Sequence, residues 1–263
     1  MTEPADRRLT RAALVRNAGA AGAAVAFGGL FSTATAQAAG GVTKGDIDIL
    51  IAAEIAEALA VTTYSGIIFR APFFKRLESD DQGYLKAARQ EEMSHYALEK
   101  SVTGKPSPFT EFFYPKGMFH NAQVTLNTLV TLEDAFIAAY LVGVRNFSSS
   151  DLRVTSARIM GIESDHRTLA RVVGPGVARR DGGPIEHITG AQGVAESVDP
   201  PNNNGYERTL KWTNINQAVD ALLPFVDRDA ARKAGFNVSR SFRFHPFRPH
   251  LPSPLGRFNG FGG

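Results

Sequence analysis

Cysteine does not occur in the 263 residues, so disulfides, thiolate metal sites and a catalytic thiol are all excluded. No glycine-rich phosphate loop runs into a helix and no Gly-x-Ser-x-Gly elbow is present. That removes two common arrangements, the phosphate cradle and the exposed serine nucleophile. The apolar stretch near the N-terminus, Ala18 to Leu30, is too short and too full of alanine and glycine to span a bilayer. Histidine is scarce, with six in the chain, and His120, His187, His245 and His250 have no partners at ligand spacing. Acidic residues stop at Asp229. The remainder is ordinary for a globular chain, 43% hydrophobic and 21% charged, with enough apolar content for a sizeable core in one or two domains.

Residues 1–38 have the organisation of an export signal. Arg7, Arg8, Arg11 and Arg16 precede the apolar stretch, and Ala36-Gln37-Ala38 offers a small-x-small cleavage site. The Arg7-Arg8 pair points to twin-arginine export. A better-spaced stretch, Thr10 to Arg16, has Ala12 where the second arginine belongs. The expectation is an exported protein, located in the periplasm, the cell envelope or the medium. Loss of residues 1–38 lowers the formal net charge from +3 to +1, so the basic balance gives no reason to expect nucleic acid.

Beyond the signal, apolar spacing predicts a helix from about Lys44 to Ile68, with Leu50, Ala53, Glu57, Ala60, Val61 and Tyr64 on one stripe. A second, from about Asp81 to Val102, carries Glu92 and His95. Glu91 lies about 100° round from Glu92 and is expected in solvent. The stretch 103–120 is a long connection bearing Phe109, Phe112, Phe113, Tyr114 and Phe119, expected to cap one end of the fold. A third helix is predicted from about His120 to Phe147, with Glu133 and Tyr140 on its apolar stripe. After a tight turn at Ser148–Asp151, a fourth runs to about Val173 and carries Glu163 and His166.

These helices repeat a unit. Glu57 is followed seven residues later by Tyr64, and after a connection by Glu92-x-x-His95. Glu133, Tyr140 and Glu163-x-x-His166 follow in the same order. A three-residue step on a helix returns to the same face, so each Glu-x-x-His pair points one way. A carboxylate with a neutral imidazole is a ligand set for a divalent transition metal. Glu54, one turn before Glu57, is the rival ligand on the first helix. The repeat favours Glu57, because Val130 stands at the position corresponding to Glu54.

Two lone glutamates and two Glu-x-x-His pairs, one per helix, resemble the ligand set of di-iron and di-manganese carboxylate bundles. Over residues 44–226 the chain resembles the ferritin-like superfamily, and more narrowly the exported bacterial ferritin-like domain proteins, some of them called desiccation-related. The resemblance implies an all-α fold: a ferritin-like four-helix bundle with one long crossover, a short fifth helix near 216–226 and an irregular C-terminal tail. It also implies metal ligands at Glu57, Glu92, His95, Glu133, Glu163 and His166, with Glu92 and Glu163 bridging. The cofactor would be two divalent metal ions, iron favoured over manganese. The activity would be oxidation of metal or handling of O2 or peroxide; the alternative is a non-enzymatic bundle with a structural or stress-protective role.

The expected domains are the signal at 1–38, the bundle at 39–228 and a tail rich in arginine, phenylalanine, proline and glycine at 229–263. Residues 177–210 read as an irregular excursion. The tail is expected to wrap the bundle or meet the cell surface. A homo-oligomer is compatible with this reading, whereas the excursion and the tail disfavour a ferritin-type cage.

Overall fold

The structure is a computed structural model, and it describes residues 42–173 and 212–250. The signal at 1–38, the excursion at 177–210 and the tail beyond residue 250 lie outside the described residues.

Helix α1 (Lys44–Arg70) begins at a capping box in which Thr43 and Asp46 satisfy each other's backbone. Asp46 also accepts from the backbone and hydroxyl of Ser148 at 2.8 and 2.5 Å, fastening the start of α1 to the turn between the third and fourth helices. These hydrogen bonds outweigh burial and hold the Asp46 carboxyl below its usual range. From Ile49 to Tyr64 α1 is buried almost without interruption. A helix apolar on all sides belongs in the middle of a fold, and α1 lies against three other helices.

Helix α2 (Ser79–Thr103) follows a short 3-10 turn at Phe74–Arg76 and packs along α1. It buries a single stripe of Leu85, Ala88, Glu92, Met93, Tyr96 and Glu99. Gly104, at φ 72°, ends it in the left-handed conformation that glycine adopts at little cost. Helices α3 (Ala122–Asn146) and α4 (Ser150–Val173) form the second tightly packed pair, joined by the predicted short turn. Helix α5 (Ile215–Val226), capped by Asn214 and Gln217, rests on α1 and α3, and α6 (Arg228–Lys233) continues from it.

The crossover from α2 to α3 contains a strand, β1 (Glu111–Tyr114), paired antiparallel with β2 (Asn237–Arg243). This two-stranded ribbon corrects the expectation of an irregular tail. The crossover aromatics do close one end of the bundle: Tyr114, Phe119 and Phe242 meet edge to face, with ring centroids 5.0 to 5.3 Å apart. Further along, Phe247 lies under the Arg89 guanidinium at 3.9 Å and the His250 amide donates to Gln90 at 2.9 Å. The described part of the tail therefore wraps α2.

Candidate metal centre

All six sequence-predicted ligands converge in the middle of the four-helix layer. Glu57 comes from α1, Glu92 and His95 from α2, Glu133 from α3, Glu163 and His166 from α4. Their ligand atoms fall into two groups, Glu57–Glu92–His95–Glu163 and Glu92–Glu133–Glu163–His166, each with all atoms within 4.8 Å of one another. Glu92 and Glu163 are common to both, so the two groups share an edge made of carboxylates. No residue of the four glutamates is more than 1% exposed.

His95 Nδ1 is ringed by Glu163 at 3.2 Å, Glu92 at 3.5 Å and Glu57 at 3.6 Å, yet it makes no hydrogen bond. His166 Nδ1 stands 3.0 Å from Glu92 and 3.3 Å from Glu163. Six buried atoms of the cluster are left without a hydrogen bond: Glu57 Oε2, both Glu92 oxygens, His95 Nδ1, Glu133 Oε2 and Glu163 Oε1. Orphaned polar atoms at this depth cost stability unless something occupies the space between them. Their donor set, four carboxylates and two imidazoles, fits a pair of divalent transition metals.

Protons respond to the same crowding. Burial first, then the Glu92 and Glu163 carboxylates, push the carboxyls of Glu57 and Glu133 well above the usual range. Glu92 would also rise by burial, but His166 and His95 beside it hold it below that range. For the imidazoles burial disfavours charge. The carboxylates outweigh it, Glu57 foremost at His95 and Glu92 foremost at His166, and both rings keep a proton well above the ordinary histidine value.

Both tyrosines of the repeat cross to the opposite helix. Tyr64 of α1 donates to Glu133 of α3 at 2.7 Å, and Tyr140 of α3 donates to Glu57 of α1. The repeat picks out both tyrosines, but a single helix's pattern cannot show a partner on another helix. Glu91 is a correction of a different kind. Half of its side chain is exposed, as expected, but its carboxylate meets His166 Nε2 at 2.8 Å. The hydrogen bond with His166 holds the Glu91 carboxyl below its usual value.

Glu54, the rival ligand, is buried outside both groups and accepts from Thr103 Oγ1 at 3.0 Å. Glu99 was not foreseen. It is buried on the α2 stripe and meets Tyr140 at 2.6 Å. Its signal was present in the sequence, since Glu99 stands seven residues after Glu92 and so on the same face. Beside the Glu133–His166 group, Arg167 and Asp134 form a buried ion pair between α3 and α4.

No curated protein and no solved structure matches the chain. Comparison with protein families matches residues 45–174 to the ferritin-like domain, the stretch that spans α1 to α4 and holds all six clustered residues. Through these residues the chain belongs to the ferritin-like superfamily.

Proposed function

We propose that the chain holds two divalent metal ions, iron in first place and manganese second, and that the loaded centre reacts with O2 or peroxide. The observation that carries this is the pair of ligand groups sharing Glu92 and Glu163, with six buried atoms that no hydrogen bond satisfies. Two divalent ions held there would supply the electrons for reducing O2 or peroxide and would themselves be oxidised to the trivalent state. The chain does the rest. Glu92 and Glu163 belong to both ligand groups and would help hold both ions, while Glu57 and Glu133 each belong to one group and would each hold one. The two imidazoles turn Nδ1 inward, and Glu91 on Nε2 fixes which nitrogen of His166 carries the proton. Tyr64 and Tyr140 orient the two unshared carboxylates, and burial excludes bulk water.

The deciding experiment is elemental analysis of the purified chain, followed by O2 and peroxide consumption of the loaded protein. Two iron or manganese ions per chain with turnover support the oxidase reading. A folded chain that takes up no metal would leave the non-enzymatic bundle instead.

We also infer that the chain is exported and cut after Ala38, on the strength of the charged start, the apolar stretch and Ala36-Gln37-Ala38. Mass spectrometry of the protein from its native host tests this: a chain beginning at Ala39 is expected, and one that still begins at Met1 in the cytoplasm removes the inference.

A further inference from the structure

The two halves of the centre are not equivalent. Superimposing the repeat places Glu54 at Val130 and Glu99 at Ala170, both apolar and fully buried. The half built on Glu57 and His95 therefore has two extra buried carboxyls that the other half replaces with hydrocarbon. Each has an oxygen without a hydrogen-bond partner, Glu54 Oε1 and Glu99 Oε2.

Tyr140 joins this pair to the centre. Its hydroxyl meets Glu99 Oε1 at 2.6 Å and Glu57 Oε1 on its other side. A phenol has one hydrogen to donate. Two ionised carboxylates around it would leave one oxygen facing the phenolic oxygen with no hydrogen between them, in a site from which water is excluded. The trio must therefore hold a second hydrogen, on Glu57 or on Glu99. Glu57 belongs to a ligand group with His95, and ligation requires its ionised form. Glu99 is in neither group.

The charged and titratable groups around Glu99 are Glu54 and Glu57 on α1, His95, Tyr96 and Lys100 on α2, Tyr140 on α3 and Glu163 on α4. Lys100 is exposed, and burial dominates at Glu99, pushing its carboxyl well above the usual range.

We propose that Glu99 keeps a proton at neutral pH and donates it to the Tyr140 oxygen, which commits the Tyr140 hydrogen to Glu57. Glu99 is thus a positioning residue for the unshared carboxylate of one half of the centre. No counterpart exists at Glu133, because the residue matching Glu99 there is Ala170.

The proton on Glu99 rests on reading the cluster as a metal site, because ligation is what keeps Glu57 ionised, and the experiment separates failure of the one from failure of the other. Infrared spectroscopy of the metal-loaded chain should show a buried protonated-carboxyl C=O band that Glu99→Gln removes and Glu54→Gln leaves. Equal band intensity in the loaded parent and the loaded Glu99→Gln variant, or no such band in the loaded parent, overturns the proposal whether or not the centre is catalytic. Co2+ titration tests the positioning role. A glutamine amide can donate N–H to Tyr140 as a protonated glutamate does, so Glu99→Gln should bind within about twofold of the parent, whereas Glu99→Met, with no donor, should lose about 10–100-fold in affinity. Equal losses in both variants, or a third Co2+ per parent chain that Glu99→Gln abolishes, would mean that Glu99 is an ionised acceptor or ligand and would overturn the proposal. Failure of the parent to bind Co2+ would instead remove the metal reading, and the assignment of the proton to Glu99 would fall with it.

Discussion

Glu92 and Glu163 each face both imidazoles, so their removal should cost more than removal of the unshared carboxylates. Glu92→Ala or Glu163→Ala should empty most of the centre, while Glu57→Ala and Glu133→Ala should each lose about one of the two ions. Metal analysis of the four variants checks this; equal losses from all four would mean that no carboxylate is shared. The tyrosines act one shell out. Tyr64→Phe removes the donor to Glu133 without changing the shape of the ring, and should weaken metal binding by about 10–100-fold with the fold intact. The six clustered residues were legible from the sequence because the helical period makes each Glu-x-x-His pair point one way, and because the unit occurs twice. Glu99 and the crossed tyrosine contacts were not, since they are set by which helix lies opposite. Glu91 misled for a related reason: its angular position on α2 places it toward solvent, and only the arrival of His166 from α4 gives it a partner.

At the scale of elements, the four long helices came out within a few residues of their predicted ends, because caps and breakers such as Thr43, Gly104 and Asn121 mark them locally. The ribbon did not. β1 has four residues and its partner lies more than a hundred residues later, so neither strand carries enough pattern to be recognised alone. Its aromatics explain a constraint on α1. Gly66 lies under the ring of Phe119, a non-glycine residue held at φ 64°, and a Cβ at position 66 would overlap that ring. Neither side can yield easily, because Phe119 is wedged against Tyr114 and Phe242. Gly66→Ala should therefore destabilise by about 1–3 kcal/mol despite alanine's better helix propensity. Gly83, on α2, has open space at the same position, and Gly83→Ala should stabilise by about 0.5–1 kcal/mol. Urea unfolding of the two variants should move in opposite directions; a stabilised Gly66→Ala would show that the aromatic end is loose.

For the whole molecule, the protons of the centre set the sign of stability against pH. Glu57, Glu99 and Glu133 have folded pKa values raised well above the unfolded one, and Glu54 is pushed up to about 7, in each case chiefly by burial. Between an unfolded value of about 4.3 and those raised values, the folded chain binds protons that the unfolded chain has released. Stability from these groups is fully present below that unfolded value and is lost as pH rises through the folded ones. His95 and His166 have the same sign, acting above about 6.5, because the carboxylates hold their protons on. Glu92 opposes them: its contribution exists above its unfolded value and disappears only as pH falls through its lowered folded value. Taken from about pH 8 to about pH 5, the metal-free chain should therefore become more stable. Bound metal reverses this, since ligation needs ionised carboxylates and neutral imidazoles, and acid drives the metal off. Metal that binds only the folded state stabilises it by RT ln(1 + [metal]/Kd), so its contribution drains away over the same interval as acid raises that Kd. Thermal melts across that range, with chelator and with metal, should have opposite slopes. Two samples that melt with one slope would mean that protons alone fill the space between the four carboxylates, and the metal reading would fall.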